Sequence, residues 1–313
     1  MENNTQLKEM IRSMVIDILQ GQKQEMASSQ PIKQAPRGQV EPGVFDTVDE
    51  AIQAAKAAQA RFEDCTLATR EKVIADIRAA MRPRVQELAQ KTVDETGMGR
   101  VADKVLKLNL TLNKTPGVED LVTECETGDN GMTLYELSAY GVIGAITPST
   151  NPAETLICNS IGMLAAGNAI FFSVHPGAKN LSRELVSELN QVIAKSIGIE
   201  NLIVTLREPS IESAQEMMLH PDVSLLVVTG GPGVVKQALQ SGKKVIGAGA
   251  GNPPAFVDET ADIKKAAQDI VLGASLDNNI LCIAEKSVVA MRQIEPQLVQ
   301  EMVKAGCILV ENQ

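Results

Sequence analysis

The sequence predicts an α/β protein built on a parallel sheet with helices on both faces. Three observations carry this. From about residue 141 onward, short and nearly continuous apolar runs alternate with amphipathic helical stretches, the pattern of parallel strands buried on both sides. Glycines stand where an apolar run gives way to a helical one, as in VTGGPG at 228–233. The 313 residues, 44% of them hydrophobic, suffice for two domains with sizeable cores. Those cores are mostly aliphatic, since the chain holds no Trp, two Tyr and five Phe.

Residues 1–20 read as a separate unit. Leu7, Met10, Ile11, Met14, Val15, Ile18 and Leu19 recur at the spacing of one helical face. Residues 21–43, rich in Gln, Ser, Pro and Gly, read as a linker. A short amphipathic helix on a tether docks on its own body, on another subunit or on a separate partner, and the pattern alone leaves these open. The body begins at residue 44. Helices are expected over 48–65, 69–96 and 104–112, with Thr69 a candidate cap of the second, and 132–137 is expected to be extended. Strands then follow at 141–147, 169–174, 202–205, 225–228, 244–246 and 255–257. Between them lie helices at 152–165, 178–197, 211–219 and 233–241. A helix at 261–273, a strand at 287–290, a helix at 295–305 and an apolar stretch at 307–310 complete the chain.

Charge and cysteine usage narrow the function classes. A net charge of −10, with no basic block interleaved with aromatics, argues against nucleic acid as a partner. No apolar run is long enough to cross a bilayer, so no membrane partner is expected. The N-terminus carries Glu2, Asn3 and Asn4 where a secretory signal is basic. The five cysteines form no CxxC pair and only two His accompany them, so no metal site or disulfide framework is expected, and the chain reads as cytosolic.

Four segments can carry chemistry. In Val228–Gly233 bare backbone N–H groups at a helix start can face a pyrophosphate, or the glycines can serve turn geometry alone. In TPSTNPAE, 147–154, Asn151 can cap a helix with Glu154 completing a capping box, or can present its amide to a developing oxyanion. In SLDNNILCIAEKS, 275–287, Cys282 is a small buried hydrophobe among Ile280, Leu281, Ile283 and Ala284, or a thiolate nucleophile. Neither His175 nor His220 stands in a motif that would make a Cys–His protease. In VIGAGAGNPPAFVDE, 245–259, Gly247, Gly249 and Gly251 make an irregular crossing that links domains or lines a cleft.

Together, and in this order, the segments resemble the aldehyde dehydrogenase superfamily, in particular the CoA-acylating propanal and acetaldehyde dehydrogenases of bacterial microcompartments. DETGMGR (94–100), TPGVEDL (115–121), PSTNPAET (148–155), HPGAK (175–179), GKKVIGAGAGNPPAFVDETAD (242–262) and DNNILCIAEKS (277–287) carry the likeness, which runs from about Gly43 to the last residue. It implies a Rossmann-like parallel sheet domain binding NAD(H) and coenzyme A over 44–246. Residues 247–313 would then be the start of an incomplete α/β catalytic domain. The family continues well past position 313, so the chain is expected to be C-terminally truncated. Its activity is then a property of the full-length protein, which forms homo-oligomers.

The resemblance makes Cys282 the nucleophile toward a short-chain aldehyde, with the Asn151 amide and the Cys282 backbone N–H holding the oxyanion. It puts Thr229, Gly230, Gly231 and Gly233 near the phosphates of NAD, and His175 and Pro176 near its adenosine end. Thr147, Pro148, Ser149 and Gly249 complete the cofactor set. Hydrolytic relatives carry a Glu that activates water where this chain has Ala248. That departure agrees with transfer of the acyl group to coenzyme A, a sulfur nucleophile that needs little help. Hydrolysis to the carboxylate, and a catalytically idle protein that binds cofactor or shell, are the competing readings. Residues 1–20 resemble peptides that load such enzymes into protein-shelled compartments, which implies shell or core proteins as partners. The implied location is a propanediol-utilisation type of microcompartment in the bacterial cytoplasm.

Overall fold

The computed structural model describes residues 41–310. The expectations for residues 1–20 and for all but the end of 21–43 lie outside the described residues. The body is already fastened at Glu41, whose carboxylate pairs with Arg183 (3.3 Å) and Arg207 (3.0 Å).

In chain order the elements are β1 (Val44–Phe45), α1 (Val48–Glu63), α2 (Leu67–Met81), α3 (Val85–Thr96), α4 (Val101–Lys114), β2 (Glu124–Gly128), β3 (Gly131–Tyr135), β4 (Val142–Ile146), α5 (Pro152–Ala165), β5 (Ala169–Ser173), α6 (Lys179–Ile197), β6 (Ile203–Leu206), α7 (Ile211–Leu219), β7 (Val223–Thr229), α8 (Pro232–Gln240), β8 (Lys244–Ala248), β9 (Pro254–Val257), α9 (Ile263–Ser275), β10 (Ser287–Ala290) and α10 (Glu295–Lys304). Six strands form one parallel sheet in the order β1-β6-β5-β4-β7-β8. Every residue of β4, β5 and β6 is buried, as their nearly continuous apolar runs require of strands covered on both faces; of the two polar residues among them, Ser173 and Thr205, Thr205 donates its hydroxyl to the Phe172 carbonyl at 2.8 Å. β9 and β10 form a second, two-stranded parallel sheet with its own small core of Val257, Ala267, Ile270 and Leu298.

Several local expectations are corrected. The helix expected over 69–96 is two helices, separated by a tight turn at Arg82–Arg84. Pro83 lies in that turn and has no N–H to give to a continuing helix. The cap of α2 is Thr66, not Thr69: its hydroxyl accepts the Thr69 N–H at 3.2 Å. The extended segment near 132–137 pairs with a strand absent from the sequence-based prediction, β2. The two-residue Asp129-Asn130 turn between flanking glycines closes the hairpin. Residues 307–310 take no helix or strand.

Gly144 sets how closely α7 approaches the centre of the sheet. A Cβ there would lie 2.2 Å from Met217 Sδ and 3.0 Å from Leu226 Cδ2, and Met217 is fully buried. Gly144→Ala is therefore expected to destabilise the body by about 1–3 kcal/mol through overpacking. Urea unfolding of Gly144→Ala, Met217→Ala and the double variant checks this. Trimming Met217 makes the room that the added methyl needs, so the double variant loses less than the sum of the singles.

Candidate active site

The strand order reverses at β4. From it the chain winds outward through β5 to β6, then crosses back to place β7 on the other side of β4. In such sheets the loops leaving the strand ends part at this point and open a crevice. Here the crevice is a cleft of about 430 Å³. One wall is the corner after β4, with Thr147, Pro148, Ser149, Thr150 and Asn151; the opposite wall is the turn after β7, with Thr229, Gly230 and Gly231. The end of β8 and its following loop, Ala248–Gly251, and the turn holding Asn279 and Cys282 close it, with His175 and Lys286 also in the lining. Pro176, which begins a short 3-10 turn, and Gly233, the second residue of α8, are outside the lining.

Asn151 occupies the N-cap position of α5 but makes no side-chain cap bond, and the capping-box reading is corrected. Its Oδ1 instead accepts a hydrogen bond from Lys107 Nζ on α4, while Nδ2 donates to Thr150 Oγ1 at 3.2 Å. An ammonium is a stronger donor than the amide N–H groups of the first turn, so the side chain turns toward it. Glu154, the other half of the expected box, is buried, and neither carboxylate oxygen has a hydrogen-bond partner; Lys107 Nζ stands 3.4 Å away.

Lys107 belongs to a buried cluster of charges. Lys104, one helical turn earlier, is fully buried; it donates to the Thr150 carbonyl and pairs with Asp277 at 3.0 Å. Asp277, also fully buried, accepts from Lys107 and from the Arg100 N–H at 2.8 Å. Its own N–H donates to Asp103 at 2.9 Å, and Asp103 in turn binds Arg100 Nε at 2.6 Å. Burial pushes the Lys104 ammonium below the usual lysine range, offset in part by Glu154. Burial alone would raise the Asp277 carboxyl, but the hydrogen bonds from Lys107, the Arg100 backbone and Lys104 outweigh it and hold the group below the usual carboxylate range.

Asp277 opens the turn that carries Cys282. Asp277, Asn278 and Asn279 all adopt left-handed φ, at 51°, 56° and 59°. Asn and Asp tolerate this conformation better than other side chains, yet three in a row persist only where the surroundings hold them. Asn279 Nδ2 ties the Ala274 carbonyl (2.6 Å) to the Glu285 carbonyl (3.0 Å), and Lys286 Nζ reaches the carbonyls of Asn279 (2.9 Å) and Leu281 (3.1 Å). Gly251 lets the next loop approach: a Cβ there would sit 2.2 Å from the Cys282 carbonyl oxygen. Cys282 is exposed in this turn, not packed among its apolar neighbours, and Ile283 is 77% exposed. His175 Nδ1 accepts from the Gly177 N–H at 3.0 Å, which leaves the proton of the neutral ring on Nε2.

The arrangement brings a thiol, a carboxamide of fixed orientation and bare glycine backbone to one cleft. Among the described residues no carboxylate lines it. No helix among them is long and apolar enough to cross a membrane. The residues that sequence reasoning missed are Lys104, Lys107 and Asp277. A signal existed for one of them: Lys104 falls on the stripe of Leu108 and Leu112, both buried, so a lysine stands where the helix turns its apolar face inward.

Comparison with known proteins agrees with this geometry. The model described as the Aldehyde dehydrogenase family matches residues 18–307. A propanal dehydrogenase (CoA-propanoylating) of Salmonella typhimurium is 48% identical over 308 residues, 98% of this chain and 64% of that protein. The chain thus spans a little under two thirds of that curated relative. A propionaldehyde dehydrogenase from the fucose utilisation bacterial microcompartment of Clostridium phytofermentans superposes with a TM-score of 0.81 at 51% identity, over 84% of this chain and 61% of that one. A Rhodopseudomonas palustris propionaldehyde dehydrogenase, solved with bound CoA and an acylated cysteine, gives 0.81 and 51% over 85% and 61%.

The buried cluster has a measurable pH signature. Because the Asp277 carboxyl is held low in the folded state, its contribution is fully present above the ordinary aspartate value of about 3.9 and is lost as pH falls through the folded value. Asp277→Asn is expected to cost about 3 kcal/mol at pH 7. The gap between wild type and variant should narrow as denaturant titrations are repeated below about pH 4. A gap that stays constant across that range would show that the Asp277 charge contributes nothing.

Proposed function

Because the chain belongs to the aldehyde dehydrogenase family, we propose that the full-length protein oxidises a short-chain aldehyde, propanal or acetaldehyde, with NAD and transfers the acyl group from Cys282 to coenzyme A. One observation carries this reading: Cys282, Asn151 and the glycine-rich turns line a single cleft at the switch point of the sheet. The named activities of the relatives, propanal dehydrogenase and CoA-propanoylating, support the substrate and the acyl acceptor.

The residues present fit a nicotinamide dinucleotide. Side chains at Gly231 and Gly249 would meet nothing within 4 Å, so their Cβ atoms would stand in space the ligand needs. Thr147, in the same lining, carries a buried Oγ1 without a hydrogen-bond partner. The N-terminus of α8, with Thr229, Gly230 and Gly231 before it and Gly233 within its first turn, would hold the phosphates. Pro148 and Ser149 would flank the cofactor, and His175 and Pro176 would stand toward its adenosine end. When bound, the cofactor supplies the hydride acceptor.

The chain's own groups do the rest. Cys282 reacts as its thiolate, the thiol proton having gone to solvent: Sγ attacks the aldehyde carbon, and the carbonyl π electrons move onto oxygen. Asn151 Nδ2 and the Cys282 N–H donate to that oxygen as its charge grows. Loss of hydride leaves a thioester on Cys282, and the coenzyme A thiolate adds to its carbonyl and expels the Cys282 thiolate. Ala248, in the lining, stands where hydrolytic relatives carry the Glu that activates water, whereas a thiol needs little help.

Incubating the full-length protein with propanal and NAD, with and without coenzyme A, tests the reading. Propanoyl-CoA is the expected product, and Cys282→Ser is expected to lower turnover by at least about 10³-fold while cofactor binding persists. Near-normal turnover in Cys282→Ser removes the nucleophile assignment. Free propanoate as the main product in the presence of coenzyme A favours the hydrolytic reading instead.

The reading extends to location: residues 1–20 dock the enzyme on the shell or core of a bacterial microcompartment, and the full-length protein assembles as a homo-oligomer. The apolar spacing of residues 1–20 supports the first, since a short helix with one apolar face is marginal alone in water. Fused to an unrelated reporter, residues 1–20 are expected to direct it to shells, and Ile11→Glu with Val15→Glu is expected to abolish this. Co-purification of the double variant with shells, or collapse of the enzyme's oligomer and activity on the same change, would make the segment part of the enzyme's own body.

A further inference from the structure

We propose that Lys107 is a positioning residue that fixes which end of the Asn151 amide faces the cleft. The inference rests on the reading of Cys282 as nucleophile and Asn151 as oxyanion donor, and adds a residue that neither the motifs nor the relatives' names assign.

The two ends of a carboxamide have the same shape and opposite polarity. An Asn at an oxyanion site donates with Nδ2 or, turned by half a rotation about χ2, offers Oδ1 lone pairs to the growing negative charge. The first stabilises the transition state and the second opposes it. Lys107 removes the ambiguity. An ammonium has three donors and no acceptor, so the atom facing it must be Oδ1. Nδ2 is then directed away from the lysine, with one N–H toward Thr150 Oγ1 and the other left for the cleft that Asn151 lines. Capping would have used the same side chain differently, as an acceptor for α5 N–H groups, and α5 has no such bond.

Lys107 is itself fixed from every side. Its side chain is 10% exposed, and Asp277 and Glu154 face it with carboxylates while Lys104 shares Asp277. Asp277 lies in the short helical turn Leu276–Asn279 that precedes Cys282. The lysine therefore spans the base of the nucleophile turn and the amide that would serve it, and registers one against the other. Replacing it with Met keeps the length and loses the donors, which frees the amide to rotate.

Two reactions of Cys282 separate this role from a merely structural one. Acylation by p-nitrophenyl acetate passes through an oxyanion: the Sγ–C bond forms, the C–O bond breaks, and nitrophenolate leaves. Alkylation by iodoacetamide displaces iodide and forms no oxyanion. Neither needs NAD or coenzyme A. In the full-length protein, Lys107→Met is expected to slow the nitrophenolate burst by about 10²-fold, comparable to Asn151→Ala, with alkylation within about twofold of wild type. Lys107→Met in an Asn151→Ala background is expected to add nothing, because the lysine acts through the amide. Lys107→Met with Glu154→Gln, which leaves no buried carboxylate stripped of its lysine because Lys104 still pairs with Asp277, is measured alongside in case the single variant folds poorly.

A fast burst in folded Lys107→Met, beside a slow one in Asn151→Ala, overturns the positioning role and leaves the site reading intact. An additive double variant, or parallel loss of alkylation, also overturns it, in favour of general loosening of the turn. A burst that survives Cys282→Ser, or is untouched by Asn151→Ala, overturns the site reading and the relay with it.

Discussion

Two lysines one turn apart on α4, Lys104 and Lys107, meet the Asp277 carboxylate where Lys104 and Asp277 are fully buried and Lys107 nearly so. Removing charges from water costs several kcal/mol per ion, and an apolar cluster of the same volume would serve stability as well or better. The cluster makes sense through what it joins. Lys104 holds the Thr150 carbonyl and Lys107 the Asn151 amide, at the corner after β4. Asp277 anchors the left-handed run that leads to Cys282. Two loops from distant parts of the chain are thus bolted to one helix, and directional bonds to charged groups give that mount a register that apolar packing would not.

The sheet supplies the space into which this mount projects. β4 lies at the centre, fully buried, with the chain leaving it in one direction and returning on the other side. The ends of β4 and β7 are adjacent, so their loops part over a gap, and the cleft is the consequence. Small residues keep it open. Gly230, Gly231 and Gly249 line it without side chains, and Gly251 lets the β8–β9 loop lie against the Cys282 carbonyl. An interior this aliphatic suits the task, because β-branched and small residues let strands and helices approach closely without aromatic bulk.

Much of this was legible in the sequence, and unevenly so. The strands at 142–146 and 169–173 announce themselves, because a strand buried on both faces is a nearly continuous apolar run, broken here only by Ser173 at the end of the second. The cleft residues were recoverable from motif: Cys282, Asn151 and the Val228–Gly233 turn carry the resemblance to the family, and the structure gathers all but Gly233 and Pro176 of the expected site into one lining. Two kinds of feature were not legible. Breaks and hairpins depend on short-range backbone chemistry, as at Pro83 and Asp129-Asn130, which periodicity averages away. The buried cluster depends on tertiary contact between residues 170 or more positions apart, and of its lysines on α4 only Lys104 stands out from a solvated face, by falling on the apolar stripe. Asn151 shows the same limit from the other side. Its position, Pro152 after it and Glu154 at the third helical position all satisfy the local rule for a cap. The local rule loses to a buried ammonium that only the fold brings near.

The central claim of the proposed function is that one mount holds Cys282 and the donor end of the Asn151 amide toward one reacting carbonyl group, the sulfur to its carbon and the amide to its oxygen. The most direct measurement is a crystal structure of the full-length protein trapped as its acyl-enzyme, with aldehyde and NAD supplied and coenzyme A withheld. The account predicts an acyl group on Cys282 Sγ, its carbonyl oxygen about 3 Å from Asn151 Nδ2, and Asn151 Oδ1 still bound to Lys107. An acyl group on another residue, or an Asn151 amide with its oxygen turned to the acyl carbonyl, would contradict it.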